Sequence, residues 1–233
     1  MTRCGFVREK MVKFYKDFNR WQGDRYMGKI KDFHENTRKP TGFLGKLMIK
    51  RMNFRHSKVS AWGLAHLKLF SPAEILEIGC GGGKNAAELR RMFPSAKVTA
   101  IDYSEVSVAA ATKYNKGDII TKRMQVMKAD VSALPFADAS FDLATAFETI
   151  YFWPGPLESF KEVYRILQPG GIFMIVNESD GENNAEEQWS KKVEGIRVYT
   201  KMQLIRILKE AGFSEFSVDQ NTSKHWLCVI AKK

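Results

Sequence analysis

Between Glu74 and Asn85 the chain reads EILEIGCGGGKN, where Glu77-x-Gly79-x-Gly81-x-Gly83 closes a short apolar run. Glycines at this spacing, with Cys80 among them, let backbone amides approach a ligand closely, because no Cβ intervenes and positive φ costs little. A helix opening just behind such a turn aims the positive end of its dipole at the ligand and favours a carboxylate there. Glu77, at the end of the strand, offers the complementary charge for an ammonium group. A zwitterionic amino-acid moiety would satisfy both.

Two other nucleotide turns begin in a similar way. In the phosphate-cradling pattern G-x-x-x-x-G-K-[ST], the leading glycine would fall on Ile78 and the magnesium-binding hydroxyl on Asn85, so a triphosphate site is excluded. The dinucleotide pattern G-x-G-x-x-G requires its third glycine where Lys84 stands, which counts against a nicotinamide site.

The elements around the turn follow from hydrophobic periodicity. Strands are expected at Ile75–Gly79, Lys97–Asp102, Arg123–Lys128, Phe141–Phe147 and Ile172–Glu178. Helices are expected at Lys84–Met92, at Glu105–Tyr114 behind a Ser104 cap, at Leu157–Leu167 before Pro169-Gly170-Gly171, and at Thr200–Ala211. Strands alternating with helices imply right-handed βαβ units and a doubly wound sheet. The last two strands, in FSEFSVDQ and HWLCVIAKK, are separated by Asn221–Lys224, too short for a parallel crossover, and must form an antiparallel hairpin. The expected fold is therefore α/β: a doubly wound, seven-stranded, mostly parallel sheet with a C-terminal hairpin and a helical N-terminal cap. Residues 1–70 form the cap and residues 71–233 the main domain.

Charge divides the chain at the same place. Residues 1–70 hold 17 Lys+Arg and 5 Asp+Glu, a net of +12, whereas the other 163 residues hold 20 and 21, a net of −1. The basic segment is either a set of solvated helix faces or a grip for RNA, a membrane surface or another anion. Cys4, Cys80 and Cys228 lie far apart and suggest no disulfide framework. With no apolar run long enough to span a bilayer and no leader-like start, a soluble, cytoplasmic protein is expected, as monomer or homodimer. No metal ligand set is assigned.

ILEIGCGGG followed by VTAIDYS resembles the first motif and second strand of class I S-adenosylmethionine-dependent methyltransferases. MKADVSALPFADASFDLATAFETIYFW and YRILQPGGIFMIVNE resemble later motifs of the small-molecule branch, similar to the ubiquinone/menaquinone-biosynthesis type. The resemblance covers about Pro72 to Lys233. It implies that Asp102 bonds both ribose hydroxyls, with Ile101 and Tyr103 flanking the adenine. Asp130 stands where the acceptor for the adenine amino group lies, with Ala129 and Val131 around it, unless it serves only as a turn residue. Phe147 falls beneath the methionine arm. The cap would close over the cofactor, and Tyr15, Trp21, His56 and Trp62 are its residues with chemistry to offer.

Methyl transfer from a sulfonium needs positioning and exclusion of water, and a base only where the acceptor must lose a proton. In Glu148-Thr149-Ile150-Tyr151-Phe152-Trp153 there is no Asn/Asp-Pro-Pro-Tyr tetrad of the kind used on bases or glutamine. Glu148 and Tyr151 are the catalytic candidates. Phe152, Trp153 and Glu178 are candidates for holding substrate, the aromatics by apolar or cation–π contact. The leading expectation is methylation of a small organic acceptor. The alternatives are an RNA or protein methyltransferase that grips its polymer through the basic segment, and a cofactor-binding regulator without turnover.

Overall fold

The computed structural model describes residues 41, 42, 45, 49, 56–68, 70–182, 191 and 195–233. Tyr15 and Trp21 lie outside these residues. The described chain folds as one sheet flanked by helices. The strands are β1 (Glu74–Ile78), β2 (Lys97–Asp102), β3 (Met124–Lys128), β4 (Phe141–Phe147), β5 (Leu167–Asn177), β6 (Glu215–Asn221) and β7 (Trp226–Lys232). The helices are α1 (Ser57–Leu64), α2 (Lys84–Met92), α3 (Glu105–Tyr114), α4 (Lys116–Ile120), α5 (Pro156–Ile166) and α6 (Lys201–Glu210).

Seven strands lie in the order β3-β2-β1-β4-β5-β7-β6. β1 to β5 pair in parallel, while β7 runs antiparallel to both β5 and β6. The order reverses direction beside β1, so the carboxyl ends of β1 and β4 border a crevice of the kind where ligands bind in doubly wound sheets. Both faces of the sheet are covered. β5 accordingly reads as a continuous apolar run from Ile172 to Val176, every residue of it buried.

Local chemistry fixes the helix ends. Ser104 accepts the Ser107 N–H at the start of α3, and Thr200 with Gln203 makes a reciprocal capping box on α6. Helix α1 lies against β5 through Gly63, where a Cβ would come within 2.6 Å of Val176 Cγ2. That contact brings His56, just ahead of α1, over the carboxyl end of the sheet.

One boundary differs from expectation by more than a residue. β5 begins at Leu167 and runs through Pro169-Gly170-Gly171, which the sequence reading takes as a stop before a strand at Ile172. Phe141 pairs with Leu167 and Leu143 with Ile172, so the three glycine- and proline-bearing positions are absorbed in a bulge.

Candidate active site

The glycine turn is held from both sides. Gly79 and Cys80 donate N–H bonds of 2.8 and 2.9 Å to the Ile101 carbonyl, tying the end of β1 to β2. Gly79, Gly81 and Gly83 all have positive φ, and Gly83, in the left-handed region, caps α2. Asn115 donates to the carbonyls of Gly83 and Ala111 at 2.9 and 3.0 Å, locking the turn onto α3.

Asp102 stands beside the turn with 7% of its surface exposed. One carboxylate oxygen accepts the Gly81 N–H at 2.9 Å and the other the Ser104 N–H at 2.8 Å. The Ser107 hydroxyl also approaches the carboxylate, whose oxygens can each accept more than one donor. Burial pushes its carboxyl up, and the Ser104 and Gly81 amides pull it back.

A cavity of about 330 Å³ opens here and runs along the carboxyl ends of β1, β2 and β4. Gly79, Cys80, Gly81, Asp102, Tyr103, Ala129, Asp130, Val131 and Phe147 line it. So do His56, Glu148, Phe152 and Trp153. Its volume falls at the lower end of the range for small-molecule sites, roughly 300–1,000 Å³. The donor set fits S-adenosylmethionine: a buried carboxylate for the ribose, apolar Ile101 and Val131 for the adenine, and an open turn. A Cβ at Gly81 would meet nothing within 4 Å. Asp130 also makes the turn that the sequence allowed, accepting from the Ser132 N–H and hydroxyl at 2.9 and 2.7 Å.

Several expected residues stand elsewhere. Glu77 is 1% exposed and does not line the cavity; its side chain enters the core, where Thr145 Oγ1 donates to it and Asn85 bonds it. Alternation along β1 is the reason, since Ile78 takes the cavity side. Gly83 is turned onto α3. Tyr151 lies behind the cavity wall, packed with Ile196 and Val198. Trp62 faces away and meets Trp226, with ring centroids 5.8 Å apart. Glu178 is adjacent to the wall through His56 but does not line the cavity.

The cavity also gains residues that the sequence does not assign to a site, among them Ile49, Ser60, Asn85, Ser107 and Thr149. Ser60 was within reach: it follows His56 by four residues on a helical pattern and shares its face. Ile49 and Ser107 carried no such signal.

Burial raises the Glu77 carboxyl from 4.5 to about 8, against the opposing bonds from Thr145 and Asn85. The unfolded chain then ionises this group before the folded one does, so stability should decline as pH rises from about 4.5 towards about 8. Glu77→Gln removes this titration. Urea midpoints at pH 5 and pH 8.5 should fall further in the wild type than in Glu77→Gln; equal changes would contradict the buried, protonated acid.

Residues 76–175 match a family model described as a methyltransferase domain. Over 154 residues, 60% of this chain, the sequence is 30% identical to cycloartenol-C-24-methyltransferase of Arabidopsis thaliana. The chain covers 44% of that relative, less than half its length. Among solved structures, a SAM-dependent methyltransferase from Aquifex aeolicus superposes with a TM-score of 0.66 at 21% identity, covering 80% of this chain and 97% of that one. Phosphoethanolamine N-methyltransferase 2 of Haemonchus contortus, in complex with S-adenosyl-L-methionine, gives 0.64 at 20% identity over 74% of this chain and 52% of its own. Residues 76–175, less than half of the chain, therefore match a methyltransferase domain, and the seven-stranded fold is shared with the solved methyltransferase structures on which the chain superposes.

Proposed function

We propose that the protein methylates a small organic acceptor held at the Glu148 end of the cavity. The observation that carries this reading is the continuity of that cavity, which runs from Asp102 and the glycine turn to His56, Glu148, Phe152 and Trp153. When bound, S-adenosylmethionine supplies an electrophilic methyl group on a sulfonium and leaves as a neutral thioether.

The chain's own residues do the rest. Asp102 takes the ribose hydroxyls, and Ile101, Tyr103 and Val131 hold the adenine, with Asp130 at its amino edge. Phe147 and Phe152 exclude water from the reacting end, which raises the strength of every charge there. Trp153 supports this wall: its ring stacks on Phe173 at 6.0 Å and its indole N–H donates to Thr149 Oγ1 at 3.2 Å.

Glu148 sits in a left-handed backbone conformation, φ +59, just beyond β4. Its N–H donates to the Val176 carbonyl at 2.9 Å, and its carboxylate accepts the Glu178 N–H. A non-glycine residue held this way costs about 1–3 kcal/mol and persists where surrounding bonds over-determine it. The conformation keeps the carboxylate on the cavity wall, where it can bind an acceptor or take a proton. Glu148→Gln should slow turnover at least tenfold while leaving cofactor affinity within about twofold, the range for a general acid–base group starting at roughly 100-fold. An unchanged rate would retire Glu148 from the reaction.

The acceptor class is tested by incubating the full chain with S-adenosylmethionine labelled in its methyl group and a cell extract, then separating small molecules from polymers. Label in the small-molecule fraction is expected. Label in RNA or protein, with activity falling steeply as salt rises, would favour the polymer reading and the basic segment. Cofactor binding without any label transfer would favour the regulator.

A further inference from the structure

We propose that Arg165 and Glu162, near the end of α5, are positioning residues for the cofactor's adenine: they hold the loop between β3 and β4 so that Asp130 meets the base. The inference rests on the methyltransferase reading above and deepens it. Neither side chain lines the cavity, so both act through the loop.

The loop, residues 129–140, contains no helix or strand. Its first residues, Ala129, Asp130 and Val131, line the cavity. Its internal bonds form two short turns, in which Ser132 and Ala133 bond back to Asp130 and Ser140 bonds back to Ala137. The stretch between the turns, Leu134 to Phe136, is bonded to α5 instead.

The Arg165 guanidinium grips that stretch as a planar fork. Nη2 donates to the Leu134 carbonyl at 3.0 Å and to Glu162 Oε2 at 2.9 Å. Nη1 donates to the Phe136 carbonyl at 2.7 Å and to Asp138 Oδ1 at 2.8 Å. Nε donates to Glu162 Oε1 at 2.9 Å, so every N–H of the side chain has an acceptor. Glu162 Oε2 in turn accepts the Leu134 N–H at 2.8 Å, and the pair thereby holds both backbone groups of Leu134. Two further bonds, from the Ala139 N–H to the Arg165 carbonyl at 3.1 Å and from the Ser140 N–H to the Ile166 carbonyl at 2.7 Å, continue the seam to β4. The bond from Arg165 holds the Glu162 carboxyl below its ordinary range, so both partners carry charge at neutral pH.

Asp130 depends on this anchorage. Its Oδ1 is taken by the Ser132 N–H and hydroxyl, which leaves Oδ2 to accept from the adenine amino group. An acceptor on irregular backbone recognises a base only if it is held to within about 0.5 Å. The Leu134 side chain, 4% exposed, enters the core just beyond Asp130. With its N–H, its carbonyl and its side chain all fixed, the short span back to β3 has little freedom to carry Asp130 away. A bidentate guanidinium–carboxylate pair supplies that geometry, whereas a lysine ammonium is a point charge on a flexible stem.

The test is titration calorimetry on the full chain with S-adenosylhomocysteine and with S-inosylhomocysteine, in which a carbonyl oxygen replaces the adenine amino group. The wild type should prefer the adenine ligand by about tenfold or more, because the analogue sets an acceptor against Asp130. Arg165→Lys should weaken S-adenosylhomocysteine about tenfold and cut the preference to about threefold or less, with S-inosylhomocysteine little changed. Glu162→Gln, a milder change, should narrow the preference in the same direction, and it carries the test if Arg165→Lys does not fold. Leu208→Ala is the control for a merely structural role: it truncates the core in α6, which contributes nothing to the cavity, and should lower the urea midpoint while keeping the wild-type preference. An unchanged preference in both loop variants, or equal losses for the two ligands, would reduce the pair to a structural staple and overturn the proposal. A wild type that binds both ligands alike would also overturn it, by removing the Asp130 contact. Failure of the wild type to bind S-adenosylhomocysteine would instead sink the methyltransferase reading, and this inference with it.

Discussion

Asp102→Ala should weaken S-adenosylhomocysteine binding by at least tenfold in calorimetry, with little change in the folded sheet. The carboxylate has two duties at once. It accepts the Gly81 and Ser104 amides, which sets the turn beside it, and it presents the remaining lone pairs to the cavity. Hydrogen bonds to a charged group are worth about 1.5–3 kcal/mol each, so losing two ribose bonds predicts roughly a hundredfold loss or more. Asp102→Asn should fall between the two, because its amide oxygen still accepts but without charge. Unchanged affinity in Asp102→Ala would remove the ribose assignment.

Gly83→Ala should destabilise the fold by about 2–5 kcal/mol, the sum of left-handed strain of roughly 1–2 kcal/mol and overpacking of roughly 1–3 kcal/mol. Gly83 has φ +78, and its Cβ would come within 2.4 Å of Asn115 Nδ2 and 2.8 Å of Ala111 Cα. Asn115 cannot swing aside without breaking its bonds to the Gly83 and Ala111 carbonyls, and Ala111 is helix backbone. Gly81→Ala is the matched control. Its φ is +52 with open space around the added carbon, so only the strain of about 1–2 kcal/mol remains. Because Gly81 lines the cavity, that variant should lose cofactor affinity more than stability. Urea midpoints measure the difference; a Gly83→Ala protein within 1 kcal/mol of wild type (about the cost of a typical single substitution) would contradict the locked turn.

The parts of the fold that sequence made legible are those governed by short-range rules. Ser104 and Thr200 announce their helices because a cap is a local hydrogen bond. The terminal hairpin follows from the length of Asn221–Lys224 alone. The start of β5 is not legible for the same reason: Pro169-Gly170-Gly171 punctuates a turn and a bulge alike, and only the partner strand β4 distinguishes them. Within the site, the glycines and Asp102 were legible because the turn is contiguous and the acid ends the next strand. Glu77 was not, since one step along β1 exchanges the cavity for the core, and Thr145 on β4 is what receives it. Tyr151 and Trp62 failed in a related way: residue type suggests chemistry, but the direction each side chain faces is set by distant packing against Ile196, Val198 and Trp226. The approach of His56 to both Glu148 and Glu178 joins positions about 90 and 120 residues apart, beyond any local rule, and rests on Gly63 admitting α1 to β5.

The most direct measurement is a crystal structure of the full chain with S-adenosylhomocysteine. The ribose hydroxyls should lie within hydrogen-bonding distance of the Asp102 carboxylate, the adenine against Ile101 and Val131, and the thioether sulfur towards Glu148 and Phe152. A ligand bound away from Asp102, or one whose sulfur faces away from the His56–Glu148 end of the cavity, would contradict methyl transfer at this site.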